Sequence, residues 1–147
     1  SSTTWTERVG FVAALATLDK MEKENVQEKL LKYGNMLKSG WTNLAEKNGL
    51  KIKTTGITSI PNFSFLYENN LAIQTLFTQE MLVRGFLART GTAVTYAYTE
   101  KIINEYLANV DEVFKIISKA LKNDSVESLL KGPIKHSTFQ RLTGKQE

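Results

Sequence analysis

LKIKTTGITSIPNFSFLY, residues 50–67, is the stretch in which the chain changes its period. Leu50, Ile52 and Thr54 alternate with Lys51 and Lys53, and Phe63, Phe65 and Tyr67 alternate with Asn62 and Ser64. A two-residue period sends every second side chain to the same face, so the spacing predicts two strands, each with one apolar side. Gly56 and Pro61 bracket the link between them, and Pro61 enters at the start of the second strand, where its missing N–H is tolerable.

Upstream the period is helical. Val26, Leu30, Tyr33, Leu37, Trp41 and Leu44 recur at three- and four-residue steps. Asn25 is placed to cap that helix with Glu28 completing a capping box, and Gly49 to end it in a left-handed C′ position with Leu50 behind. Before it, Val9 to Leu18 carries no charge at all. A helix apolar all round expects cover on more than one side.

Downstream, Asn69 or Asn70 can cap a helix from Leu71 to Arg84 that ends at Gly85. Phe86 to Ala88 and Val94 to Ala97 read as two brief strands around the loop Thr90-Gly91-Thr92. Thr99 caps the longest helix, whose stripe runs through Ile103, Tyr106, Leu107, Val110, Val113, Phe114, Ile117 and Leu121. Ser125 caps a last short helix, Val126 to Lys131, stopped by Gly132-Pro133. Amphipathic helices need a sheet face to cover, and the strands each offer one. The expected fold is therefore α/β, a two-layer α+β sandwich: a small, mainly antiparallel sheet covered by helices on one face, preceded by a long interface helix at about residues 5–24.

A chain of 147 residues builds one domain, 1–147, and composition places it among globular proteins, with 41% hydrophobic and 23% charged residues. No stretch approaches the roughly 20 apolar residues of a bilayer-spanning helix, and Ser1 to Arg8 lacks the order of a secretory signal. The expectation is a cytoplasmic protein. No cysteine is present, which excludes disulfide scaffolds, thiol nucleophiles and cysteine-ligated metals, and the single histidine, His136, argues against a His-rich metal site or a self-contained Ser-His-Asp device. The net charge of +4 comes from lysines that alternate with acids along helical segments, as solvated faces do, so neither nucleic acid nor a membrane is an expected partner. Lys20, Lys51 and Lys101 lie in such surface contexts and are not read as nucleophiles.

Ser1-Ser2-Thr3-Thr4 ahead of Glu7 offers hydroxyls and free N–H groups at the positive end of a helix dipole, an arrangement that caps a helix and can also hold a phosphate. The run Ser1-Ser2-Thr3-Thr4-Trp5-Thr6-Glu7-Arg8-Val9-Gly10, followed by Ala13-Ala14-Leu15-Ala16-Thr17-Leu18, resembles the start of the C-terminal part of class III aminotransferases. These are pyridoxal-phosphate enzymes of fold type I, and the glutamate-1-semialdehyde aminomutase branch is the nearest in likeness. Leu76-Phe77-Thr78-Gln79-Glu80-Met81-Leu82 with Arg84-Gly85-Phe86-Leu87-Ala88 is similar to the same branch. Thr95-Tyr96-Ala97-Tyr98-Thr99 stands in the place of a Ser-Ala-His-Thr-like segment, and Gly132-Pro133, His136-Ser137 and Phe139-Gln140-Arg141-Leu142 resemble the closing motif. The chain departs from the branch at Tyr98, where a His is usual, and at Arg89, where a small residue or Pro is common.

The resemblance implies a C-terminal small domain of an enzyme that moves an amino group between an amino compound and a carbonyl compound. Its Schiff-base lysine, the acid pairing the pyridine nitrogen and the aromatic stacking on the ring would belong to a large domain before Ser1, so this chain alone would be inert and contain no catalytic residue. It implies cofactor contacts from Thr3 and Ser2, with Thr3 reaching the pyridoxal 5′-phosphate of the other protomer. It also implies that the first helix lies at the junction of the large domain, small domain and homodimer partner. Arg89, through a bidentate fork, and Tyr96 are the candidates for contact with a small amino or keto substrate, since their section would face the cleft between domains. The competing expectation is a stand-alone α/β binding or regulatory module without catalysis.

Overall fold

The computed structural model describes residues 5–137. Thr3 and Ser2, like the closing Phe139-Gln140-Arg141-Leu142, lie outside the described residues. The element order is α1 (Arg8–Lys23), α2 (Val26–Lys47), β1 (Ile52–Thr55), β2 (Asn62–Phe65), α3 (Asn70–Val83) and α4 (Glu100–Lys122), followed by a 3-10 turn at Glu127–Leu129.

The alternating stretch forms the two expected strands, and they pair with each other as a hairpin. β1 and β2 pair antiparallel with Ile52 opposite Phe65 and Thr54 opposite Phe63, so these four share the face whose Phe63 and Phe65 are buried, while Lys53 and Ser64 pair on the exposed face. Helices α2, α3 and α4 pack on that buried side. Phe63 lies at the centre: its ring is 4.9 Å from Trp41 of α2, 5.4 Å from Phe77 of α3 and 5.9 Å from Phe114 of α4, centroid to centroid. Edge-to-face and tilted rings at such spacings attract beyond the area they bury.

Two helix ends match the glycines. Gly49 (φ 68°) and Gly85 (φ 86°) take the left-handed conformation, and the next residues close back onto the helix, Leu50 N–H on the Ala45 carbonyl at 2.8 Å and Phe86 N–H on the Met81 carbonyl at 2.9 Å. Asp124 (φ 49°) ends α4 in the same way. Thr99 caps α4 as expected, its hydroxyl accepting from Ile102 N–H at 3.3 Å.

Several local expectations are corrected. Neither Phe86 to Ala88 nor Val94 to Ala97 is a strand. Residues 90–94 instead run antiparallel beside 59–63, with Phe63 N–H on the Thr90 carbonyl at 2.8 Å, Thr92 N–H on the Pro61 carbonyl at 3.1 Å and Val94 N–H on the Ser59 carbonyl at 2.9 Å. Pro61 has no N–H to return to Thr92, so the ladder lacks its reciprocal rung and shrinks to one bridge, Asn62 with Gly91. The sheet is two-stranded. The Asn25–Glu28 capping box does not form, because Asn25 itself adopts the left-handed conformation and makes no side-chain cap. The helix expected from Val126 to Lys131 is only the 3-10 turn, without a Ser125 cap.

Helix α1 is helical where its apolar run lies, yet it buries none of its residues: Phe11 is 66% exposed and Leu15 69%.

Candidate functional site

The groove of interest follows from how α3 ends. Its C-terminal turn throws the chain back at Phe86, which lays residues 86–89 alongside the start of α4, with Phe86 5.8 Å from the ring of Tyr106. The chain then crosses beside Pro61 to Phe63 and returns through a turn, Tyr98 N–H on the Thr95 carbonyl at 3.1 Å, into the α4 cap. Between this loop and α4 lies a groove of about 360 Å³. Its walls are mostly apolar, with Leu37, Phe86, Leu87, Ala88, Ile102 and Ile103 among them.

Polar groups are few and placed. Thr92 Oγ1 and Tyr98 OH share a hydrogen bond at 3.1 Å across the groove-lining loop. Tyr106 OH accepts from Trp41 Nε1 at 3.1 Å, and burial pushes its pKa far above the ordinary phenol value, so it stays protonated. Arg89 also lines the groove, is exposed, and forms no ion pair or side-chain hydrogen bond with another described residue. An apolar cleft with one guanidinium that has no partner among the described residues can take a carboxylate whose body is apolar.

The structure separates the two candidates for substrate contact. Tyr96 does not line the groove; its side chain turns to the α1–α2 junction, where its hydroxyl donates to the Glu24 carboxylate and accepts from Lys29 Nζ at 3.1 Å. The residues that sequence reasoning passed over are Thr92, Tyr98 and Tyr106. In the sequence Tyr106 belongs to the α4 stripe and Tyr98 marks a departure from a motif; their convergence depends on the long-range crossing of residues 90–94.

Among the described residues no lysine stands in the desolvated surroundings that a covalent post for pyridoxal phosphate needs. No charged side chain is buried. A lysine becomes a nucleophile when desolvation or a neighbouring cation lowers its pKa, whereas the partners of Lys32 and Lys115 raise theirs: a hydrogen bond to Glu100 for Lys32, and hydrogen bonds to Glu112 and Asp111 for Lys115. Lys20, Lys51 and Lys101 are exposed, as is His136. No group of three or more His, Asp or Glu that could hold a metal occurs among the described residues, and no described helix is long and apolar enough to cross a membrane.

No family model matches the chain, and no curated protein matches it. Among solved structures, the chain is similar to the pyridoxal-phosphate internal aldimine form of the FumI protein of Sphingopyxis sp. MTA144, with a TM-score of 0.59 and 22% identity. The match covers 65% of this chain and 23% of that one. At that identity the likeness establishes a shared fold, and it is a fold held within a much longer chain.

Proposed function

We propose that the chain is the C-terminal small domain of a pyridoxal-phosphate-dependent aminotransferase or aminomutase of class III, part of a longer, dimeric, cytoplasmic enzyme. The observation that carries this is the fold shared with a segment of FumI, a protein that holds pyridoxal phosphate as an internal aldimine. The motifs similar to the glutamate-1-semialdehyde aminomutase branch support it from the sequence side. In this reading the domain shapes the substrate cleft, α1 meets the large domain and the partner subunit, and Thr3 with Ser2 contacts the cofactor phosphate. The exposed apolar faces of α1 support the second of these roles. Arg89 would hold the carboxylate of an amino or keto acid whose apolar body lies in the groove. When bound, the cofactor would supply the electron sink for amino transfer, and its lysine would come from outside the described residues.

The test uses the whole enzyme. Thr3→Val keeps shape and removes a hydroxyl that donates to a charged phosphate oxygen, a bond worth about 1.5 to 3 kcal/mol, so cofactor affinity should fall roughly ten- to a hundredfold while the fold is retained. Mixed dimers of Thr3→Val subunits with subunits lacking the Schiff-base lysine should recover one active site, built from an intact lysine and the neighbour's intact Thr3. Unchanged cofactor retention in the variant removes Thr3 from the site. The 147-residue chain alone, treated with pyridoxal phosphate and borohydride, should not acquire one stoichiometrically labelled lysine; such labelling with turnover would overturn the reading.

A further inference from the structure

We propose that Tyr96 is a positioning residue that fixes the angle of α1 and couples that angle to the wall of the groove. The inference concerns this chain's own contacts and does not depend on the cofactor reading.

Packing does not set the angle of α1, because none of its residues is buried. Glu24 and Asn25 alone separate it from α2, and Asn25 turns the chain there with φ 47° and ψ 48°. Asparagine tolerates this left-handed conformation better than most residues, so the turn is cheap and does little to stiffen the joint. The backbone hydrogen bonds around it serve one helix or the other: Glu24 N–H on Lys20 and Asn25 N–H on Glu22 belong to the end of α1, and Lys29 N–H on Asn25 to the start of α2.

One side chain touches both sides of this joint. The Tyr96 hydroxyl donates to the carboxylate of Glu24, the C-cap of α1, and accepts from Lys29 in the first turns of α2. Its ring lies beneath two cations, Lys29 at 4.4 Å and Lys20 of α1 at 5.8 Å from the centroid. These are the attractive contacts a phenol makes with ammonium groups through its face. Lys20 also reaches Glu24 at 3.8 Å, so two ammonium groups and one carboxylate surround the phenol.

The same residue sits on the loop that builds the groove. Tyr96 lies within the Thr95–Tyr98 turn, and Thr92, Ala93 and Tyr98 on either side line the groove, with Thr92 and Tyr98 bonded to each other. A displacement of α1 that pulls on Glu24 is therefore transmitted through the phenol to a short, hydrogen-bonded stretch of groove wall.

The absence of cysteine makes a clean test possible: Ala14→Cys on α1 and Asn104→Cys on α4 carry a pair of nitroxides in the full chain, diluted with unlabelled protein so that only distances within one molecule are read. Ala14 stands about 16 Å from the joint at 1.5 Å per residue, so a swing of about 30° moves its label by about 8 Å. The chain with Tyr96 intact should give one narrow distance. Tyr96→Phe, which keeps the ring and loses the hydroxyl, should broaden it, and Tyr96→Ala and Glu24→Ala should broaden it further. Glu24→Gln, still an acceptor, should stay near the starting width. In Glu24→Ala the backbone amide resonances of Thr92, Ala93 and Tyr98 should also shift. An unchanged distance in both Tyr96→Phe and Glu24→Ala overturns the proposal, and so does a broadened distance with unmoved groove amides. Should Tyr96→Ala fail to fold, these two variants, at a hydroxyl and an exposed carboxylate, still decide the matter.

Discussion

At the scale of single residues, Asp111 and Tyr106 hold their helices together by contacts that a substitution can read. Asp111 lies midway along α4 and meets the C-terminal end of α2. Desolvation disfavours its charge, but hydrogen bonds from Lys47 at 2.7 Å, Asn48 at 2.8 Å and the nearby Lys115 ammonium at 3.2 Å outweigh that and hold its pKa at about 2. A folded-state pKa below the ordinary 3.8 means that the contribution is complete at neutral pH and is lost as pH falls toward about 2. Both lysines are well exposed, so solvent screening limits the effect to about 1 kcal/mol or less. Asp111→Asn should therefore lower the urea midpoint at pH 7 slightly and reduce the difference between pH 7 and pH 2. Tyr106→Phe removes the acceptor of Trp41 Nε1, and Trp41 is fully buried, so an N–H is left without a partner. The cost should be about 1 to 3 kcal/mol, seen as an earlier urea transition followed by tryptophan fluorescence.

At the scale of elements, two helical glycines should respond with opposite sign to the same change. Gly10 lies in α1 with nothing within 4 Å of an added Cβ, so Gly10→Ala removes a poor helix former and should stabilise α1 by up to about 1 kcal/mol. Gly34 lies inside α2, where a Cβ would stand 1.8 Å from the Thr58 carbonyl oxygen. Helix propensity again favours alanine, but the loop backbone must move, and Gly34→Ala should destabilise by about 1 to 3 kcal/mol. Circular dichroism during thermal unfolding of both variants separates the two outcomes. The contrast also marks what the sequence could carry. The two strands were legible in Leu50 to Tyr67 because alternation is local, and the α4 stripe and the glycine stops were legible for the same reason. The close approach at Gly34 and the ladder spoiled by Pro61 depend on which segment lies opposite, and period says nothing of that. The candidate site divides likewise: Arg89 was legible as a guanidinium able to fork onto a carboxylate, but its separation from Tyr96 and its nearness to Tyr98 and Tyr106 arise only when residues 90–94 cross beside β2.

At the scale of the molecule, α1 is the element whose sequence and surroundings disagree most. It carries Trp5 just before it and Val9, Phe11, Val12, Leu15 and Leu18 within it, all exposed, whereas α2, α3 and α4 each give buried residues to the core around Phe63. A contiguous apolar surface of this kind favours association or dye binding when it has no cover. Phe11→Ser and Leu15→Ser should reduce both, read by light scattering and by hydrophobic-dye fluorescence. The magnitude of the stability change distinguishes two architectures. If α1 lies outside the core, as its exposure indicates, each change should move the unfolding free energy by no more than about 0.5 kcal/mol, as surface substitutions do. If α1 folded onto the core in solution, truncating a large buried apolar side chain would cost about 2 to 5 kcal/mol, and a chain that was a clean monomer before the change would lose its cooperative transition. The first outcome leaves an apolar helix available to another surface, as the small-domain reading requires. The second would make α1 part of the domain's own core and remove its proposed role at the junction with the large domain and the partner subunit.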